Sequence, residues 1–409
     1  MKKKIIIIGA GPAGMFTAVQ AKNENNVVLI LEKNPQAGKK ILISGSGQCN
    51  LTHSGGVDDF LKHYGENEMF MISPLYQFDN KELLDFFKKR GVKFIEADNG
   101  KFFPRSLKAE DILNVLLEEC RNKDIEIKYN SAVEKVHYKK ENGSFYVSTA
   151  ENKYQTDFLV IAAGGMAYPT TGSSGDGYKF AKELGHNIIT PEPALTPIFI
   201  RDYDFSNLAG VSLQNTELSL WRENKVVKRW SGDLLFTHKG LSGPAVLNYS
   251  RYITAGDSIK IHLLQTENEA ELDKILINKI NENGNRLIKN VIRGFSLPNR
   301  LLYSLLKKLE IDENKKAAQI TKKERKDIVK VLYSLNLKVD KPASFNQAMV
   351  TKGGIDLKEI NPANMESTLK ANLFAVGEVL DIDGDTGGYN LQAAFSTAYA
   401  AGKEIRKRT

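Results

Sequence analysis

The stretch "IIIIGAGPAGM", residues 5–15, decides the reading of the chain. Four consecutive isoleucines make a short, wholly apolar run, as a strand buried on both faces requires. The run breaks at once into Gly9-Ala10-Gly11-Pro12-Ala13-Gly14, which fits G-x-G-x-x-G. Pro12 stands where a helix would begin, and the fixed φ of proline suits a first helical position. A second apolar run, "VVLILEK" at residues 27–33, carries Glu32 at its end, 18 residues beyond Gly14. Strand, glycine turn, helix, strand and terminal acid together predict a βαβ unit over residues 4–34 that binds a dinucleotide. Gly9 allows the tight turn, Gly11 lets the backbone approach a pyrophosphate, and Gly14 lets helix and strand pack closely. Glu32 accepts hydrogen bonds from a ribose hydroxyl, and its charge disfavours a 2′-phosphate there.

Composition narrows the class. At 409 residues, with 42% hydrophobic and 26% charged residues, the chain has material for two or three domains with real cores. No apolar run approaches the roughly 18–20 residues that span a bilayer, and no membrane partner is expected. The lysines before the isoleucines give the N-terminus the look of a signal peptide. Four isoleucines followed by glycines read instead as a first strand, so a cytoplasmic location is expected. Two cysteines, Cys49 and Cys120, make neither a disulfide framework nor a zinc or iron–sulfur site. The six histidines lack HxxxH or HExxH pairing, and no metal is expected. The formal charge of +8 is spread through lysine-rich helices such as "TKKERKDIVKVLYSLNLK", residues 321–338. Those read as solvated faces, and no nucleic-acid partner is expected.

Along the chain, "KELLDFFKKRG" and "AEDILNVLLEECRNK" read as helices within residues 81–123, and residues 125–163 as a meander of strands ending in the buried run "DFLVIAAGG". Pro191, Pro193 and Pro197 in "TPEPALTPIFI" mark a boundary. Short strand-like pieces follow over residues 200–265, helical periodicity over 268–335, and strand-and-glycine texture again from about 345. A discontinuous first domain is therefore interrupted by a mixed β and α insertion, with no internal repeat.

The glycine motif does not distinguish NAD from FAD; three further stretches do. "GKKILISGSGQCNLT", residues 38–52, is too glycine-rich for an ordinary crossover. In it Lys40 would meet a phosphate, and Ser44, Gly45, Gly47 and Asn50 would run along an extended cofactor. The strand "DFLVIAAGG" ends in Ala163, Gly164 and Gly165, where close approach to an adenosine is expected. In "FAVGEVLDIDGDTGGYNLQAAFSTAYAAG", residues 374–402, a strand places Glu378 at its carboxyl end, and a helix of small residues starts near Asn390, read here as its N-cap. The N–H groups of that helix start favour negative charge, such as gathers at N1 and the C2 carbonyl of a reduced flavin. The two ends of the chain are thus expected to close over one extended FAD.

Together with "GKFFPRS", "LVIAAGGMAYPTTGSSGDGY", "GDLLFTHKGLSGPAVL" and "VTKGGI", these stretches resemble the YhiN-like or BaiN-like bacterial NAD(P)/FAD-dependent oxidoreductases, some described as aminoacetone oxidases. The resemblance covers nearly the whole chain. It implies an α/β fold: a Rossmann-like FAD-binding domain of the two-dinucleotide-binding type, interrupted by an inserted β-barrel-like plus helical domain. The expected division is residues 1–192 and 346–409 for FAD binding, 193–267 and 336–345 for the β-rich part, and 268–335 for the helical part. FAD contacts carried over fall on Gly9, Ala10, Gly11, Pro12, Ala13, Gly14, Glu32 and Lys33. They continue through Lys40, Ile41, Ser44, Gly45, Gly47, Cys49 and Asn50. Val133 is implied at the adenine, and Glu378, Asp381, Asn390, Leu391 and Gln392 at the ring end.

No second G-x-G-x-x-G occurs in residues 165–345, and two distant cysteines cannot form a CxxC pair, which excludes the dithiol reductases. NAD(P)H would act as a transient donor, or another donor would take its place. Flavin chemistry asks the protein for little more than a proton donor or acceptor. His238 in "FTHKGLSG", Tyr168 in "AYPTTG" and Tyr389 beside the flavin helix are the candidates. Arg105 would bind an acidic substrate or cap the following helix, and Cys49 reads as a packing or cofactor contact. The expected function is an FAD-dependent oxidoreductase reducing a conjugated C=C bond in a small to medium substrate. The alternatives are an amine oxidase of the aminoacetone type and, in another class, a flavoprotein acting on tRNA.

Overall fold

The computed structural model describes residues 2–97 and 99–409. It divides into two compact units, one formed by Met1–Ala194 with Phe345–Thr409 and one by Leu195–Ser344.

The first unit is organised by a five-stranded parallel sheet. Its order is Leu373–Ala375, Phe158–Ile161, Lys3–Ile8, Asn26–Leu31, Glu126–Lys128. The isoleucine run sits at its centre, with Ile5 and Ile7 wholly buried, as a strand covered on both faces requires. The helix Pro12–Ala21 follows directly. Beside it packs the last helix, Tyr389–Arg408, through a cluster of Phe16, Phe78 and Phe395. Chain start and chain end therefore share one core. The meander is a separate antiparallel sheet of Val133–Lys139, Ser144–Thr149 and Lys153–Thr156.

Pro191 and Pro193, read as marking a boundary, lie inside a strand, Ile188–Ala194, where the first unit gives way to the second in sequence, and that strand pairs antiparallel with Val350–Ile355. The register shifts between Ile189 and Glu192, and a bulge of that kind tolerates a residue with no N–H to donate. The last helix starts at Tyr389 with Gly388 at the N-cap, not Asn390. Gly388 adopts φ 99°, a left-handed conformation that glycine takes without strain.

The second unit contains a closed antiparallel barrel. Its order is Ile198–Ile200, Gly240–Ser242, Lys225–Phe236, Ser212–Arg222, Ser258–His262 and Leu335–Pro342, the last pairing back to the first. The long hairpin turns at Glu223 and Asn224, both with positive φ, the combination a two-residue turn of matching twist demands. Leu218, Leu220, Leu234, Phe236, Ile259 and Ile261 point inward and are fully buried. Between the last two barrel strands in sequence come helices including Glu269–Glu282, Asn299–Lys308 and Lys322–Tyr333, which share the barrel's core cluster. The α/β Rossmann fold interrupted by a barrel and helices is the fold the resemblance implies.

One ion pair holds the hairpin. Asp257 is 2% exposed and accepts two hydrogen bonds from Arg222, at 2.8 and 2.9 Å, and one from Thr254 N–H at 2.8 Å. Burial pushes the Asp257 carboxyl up, but the Arg222 guanidinium and the Thr254 donors outweigh it and hold the group below the usual aspartate value. The stabilisation from a depressed carboxylate is fully present above its unfolded pKa of about 4 and disappears as pH falls through the folded value. Arg222→Ala is therefore expected to cost about 1.5–3 kcal/mol at neutral pH, the worth of hydrogen bonds to a charged group. The difference from wild type should shrink in urea titrations below about pH 4. An unchanged difference down to pH 2 would rule out this assignment.

Candidate functional site

The three glycines of the motif do different work. A Cβ on Gly9 would lie 2.5 Å from the Ala162 carbonyl oxygen, and one on Gly14 would lie 2.0 Å from the Gly9 carbonyl oxygen. Both positions are set by close packing of the turn on the neighbouring strand end, Ala162–Ala163, and on the helix. A Cβ on Gly11 would meet nothing within 4 Å. Gly11 is the N-cap of the helix Pro12–Ala21, with no side-chain cap and no acid in the first turn. With no side-chain cap on the helix start and open space beside Gly11, a pyrophosphate could approach the backbone there.

Glu32 is buried at the end of the second strand. Its Oε2 accepts from Ala10 N–H at 2.8 Å, and its Oε1 accepts from the Asn34 N–H and side-chain amide at 2.8 and 2.7 Å. A carboxylate has about four lone-pair positions, so room for a ribose hydroxyl remains. Lys33 reaches across to Ser174 and Asp176. Ala163 and Gly164 follow the strand Phe158–Ile161 beside Gly9, and Val133 opens the meander. The residues present thus fit a dinucleotide at this end.

The segment after the second strand is a short helix, Lys39–Ile43, and a 3₁₀ turn, Ser44–Gly47. Gly45 and Gly47 have positive φ; Ile41 is buried in the core. Lys40 makes a two-oxygen ion pair with Glu378, at 2.9 and 2.6 Å, across 338 positions of sequence. Glu378 also accepts from Thr351 N–H at 3.0 Å. The lysine read as a phosphate ligand and the acid at the last strand's end therefore meet one another. Cys49 is 0% exposed, and burial pushes its thiol up to about 12, with the Ser44 hydrogen bond pulling weakly the other way. A neutral thiol in that setting is a packing group and a poor nucleophile.

At the far end of the chain, Asn50 tethers the last helix: its amide oxygen accepts from Gly388 N–H and its nitrogen donates to the Thr52 carbonyl, both at 3.1 Å. Asn390 holds the preceding loop by bonding Gly384 in both directions at 2.8 Å, its nitrogen also reaching the Asp385 carbonyl. Gln392 is 0% exposed, and its amide is spent on Thr52, Phe78 and Ser396. Leu391 packs at the edge of the core. Asp381 accepts from Gly353 N–H at 2.9 Å; burial raises its carboxyl above the usual value.

The three proton-transfer candidates lie apart in the sequence and differ in setting. His238 is exposed in the second unit, on the loop between Lys225–Phe236 and Gly240–Ser242. Tyr168 is half-buried in the first unit, in a left-handed conformation. Tyr389 is buried at the start of the last helix, and burial raises its phenol to about 12. Its ring stacks on two imidazoles, His63 at 4.0 Å and His53 at 5.2 Å between centroids. His63 Nδ1 in turn lies 3.0 Å from Asp385 Oδ2. Neither histidine is singled out by the sequence. The only linear signal for His63 is its place in a loop, because Asp385 is 322 residues away.

The HI0933-like protein Rossmann domain family matches residues 3–404. A ribosomal RNA dihydrouridine synthase of Haemophilus influenzae is 32% identical over 408 residues, covering 98% of either chain. A 3-dehydro-bile acid delta(4,6)-reductase of Clostridium scindens is 29% identical over 413 residues, covering 99% of either chain. Among solved structures, 3-ketosteroid delta1-dehydrogenase from Sterolibacterium denitrificans superposes with a TM-score of 0.53 at 11% identity over the whole of both chains, a likeness of fold. Among the described residues no helix is long and apolar enough to cross a membrane, and no group of acids, histidines and cysteines could hold a metal. With a family match running nearly end to end, over motifs that resemble the same group, the chain belongs to the HI0933-like Rossmann family and is an FAD-dependent oxidoreductase.

Proposed function

We propose that the protein reduces a C=C bond conjugated to a carbonyl group, that its substrate is a uracil base in ribosomal RNA, and that NAD(P)H is the electron donor. The observation that carries this reading is a shared chemistry. Two relatives matching end to end bear names with unrelated substrates, a ribosomal RNA uridine and a 3-oxo bile acid. Dihydrouridine is uridine with its C5–C6 double bond saturated, and that bond is conjugated to the C4 carbonyl. A delta(4,6) 3-oxo steroid presents the same polarised arrangement. The higher identity is to the ribosomal RNA enzyme, and a formal charge of +8 favours a polyanionic partner. The even spread of lysines, which set the expectation of no nucleic-acid partner, weighs against this reading, and the likeness to the ribosomal RNA enzyme weighs for it.

FAD, when bound, supplies the hydride. This chain's part is to hold and orient. Gly9–Gly14 would take the pyrophosphate on the N–H groups around Gly11. Glu32 and Lys33 would take the adenosine ribose, and Val133, Ala163 and Gly164 would line the adenine. The segment from Lys40 to Asn50, with Ile41, Ser44, Gly45, Gly47 and Cys49, would follow the cofactor toward Glu378 and Asp381. The start of the last helix at Asn390, Leu391 and Gln392 would face the ring. Because the Gln392 side chain is spent inside the core, helix backbone and the residues before it carry that contact.

The test is anaerobic. Protein loaded with FAD is bleached with NADH or NADPH, then mixed with unmodified ribosomal RNA transcript or, separately, with a 3-oxo-4,6-diene steroid acid. Reoxidation by the RNA, with a uridine heavier by two hydrogens in the digest, is the expected result. Reoxidation by the steroid alone would move the substrate to the second class that the bile-acid relative favours. Bleaching by small amines with rapid reoxidation by oxygen, and none by either acceptor, would replace the reading with an amine oxidase.

A further inference from the structure

Saturating an enone needs two deliveries, hydride to the β carbon and a proton to the α carbon. The chain has to supply the second. Tyr389 is less suited, since its ring stacks on two imidazoles and burial raises its phenol to about 12, which makes it a weak acid. The group beside it is arranged differently. His63 and Asp385 clamp one another twice: Nδ1 of His63 lies 3.0 Å from Asp385 Oδ2, and Asp385 N–H donates to the His63 carbonyl at 3.0 Å. Facing a carboxylate, Nδ1 must be the donor, which leaves Nε2 to exchange protons outward. Stacking on Tyr389 fixes the ring plane, and Asn390 holds the loop that carries Asp385. His63 is still 36% exposed and Asp385 22% exposed, so the pair is open on one side. His53, by contrast, turns its Nδ1 to the Ser54 carbonyl and has no acid holding it among the described contacts.

On the proposed reading of the function, we infer that His63 is the proton donor of the reaction, with Asp385 as its positioning residue. As hydride from the reduced flavin forms a bond to the β carbon, the C=C π pair shifts toward the α carbon and its carbonyl. That carbon then takes the proton from His63 Nε2. The substrate gains two C–H bonds and is reduced, the flavin is oxidised, and neutral His63 recovers a proton from solvent. A proton held this way, beside the helix start assigned to the flavin ring, arrives from a fixed direction, which sets the face of addition.

Two variants and two readouts test this. In His63→Gln, bleaching of the flavin by NAD(P)H should persist, while reoxidation by the acceptor should fall by roughly 10²–10⁴, the usual share of general acid catalysis. In folded Asp385→Asn bleaching should again persist, while reoxidation at saturating acceptor should fall at least about tenfold with the half-saturating acceptor concentration unchanged, and the product formed in D2O should lose its single-face label, because the imidazole is no longer held in one orientation. An acceptor rate within threefold of wild type in folded His63→Gln, or an Asp385→Asn protein indistinguishable from wild type in rate and in the face labelled, would overturn the inference. A wild-type protein reoxidised by neither acceptor would instead overturn the proposed function.

Discussion

Gly14→Ala is expected to unfold about 3 kcal/mol more readily than wild type, the upper end of ordinary overpacking, whereas Gly11→Ala is expected to fold normally and bind the cofactor more weakly. The two glycines are three residues apart in one motif. Their surroundings separate them. At Gly14 the added carbon would stand 2.0 Å from the Gly9 carbonyl oxygen and 3.3 Å from Ala162 Cβ. The first of these is backbone and cannot swing aside, so the whole helix Pro12–Ala21 has to move off the sheet. A gain of roughly 0.5–1 kcal/mol in helix propensity offsets only part of that. At Gly11 the backbone is extended, with φ −78° and ψ 177°, and the added carbon meets nothing in the protein. It would occupy the place proposed for the pyrophosphate, and a clash of roughly 1–3 kcal/mol there weakens FAD binding by about 10–100-fold. Urea titration of the FAD-free proteins measures the first effect and FAD titration by fluorescence quenching the second. Gly11→Ala binding FAD as tightly as wild type would mean that the cradle over this helix does not hold the phosphates.

That difference marks where sequence reading succeeds. The βαβ unit is legible because each part is local: an apolar run, a glycine turn, a proline at the helix start, an acid 18 residues on. The strand character of residues 200–265 is legible for the same reason, but not the hairpin Ser212–Phe236 that it forms. Closure of the barrel is not, because its last pairing joins Ile198–Ile200 to Leu335–Pro342 across the helical segment, and nothing in either strand names its partner. Asn390 looks like an N-cap by residue type, yet a left-handed glycine before it starts the helix and frees the amide to brace the loop. Lys40 reads as a phosphate ligand, and only the fold shows that it also pairs with Glu378. His63 has no local signature, since its meaning comes from Asp385 and Tyr389, brought beside it from the other end of the chain. Local chemistry is written in neighbouring residues; charge pairs that define a site are written in topology.

Phe395→Ala should be the most destabilising single truncation at the junction of the two chain ends, costing about 3–5 kcal/mol. Phe395 is wholly buried in the last helix, edge-on to Phe16 at 5.1 Å and to Phe87 at 5.7 Å. Removing it leaves a cavity between that helix and Pro12–Ala21, the two helices whose N-terminal ends are proposed to hold opposite ends of FAD. The lost packing therefore loosens the site as well as the fold. Linkage makes this testable, since a ligand that binds only the folded protein stabilises it by RT ln(1 + [L]/Kd), about 2.7 kcal/mol at a hundredfold excess over Kd. Added FAD should thus restore much of the thermal stability of Phe395→Ala. Gly11→Ala, whose folded state is sound, should gain little from the same addition. If FAD raised the melting temperature of both variants equally, the cofactor would not be bridging the two helices, and the reason for building a phosphate-binding start and a ring-binding end into one core would fall away.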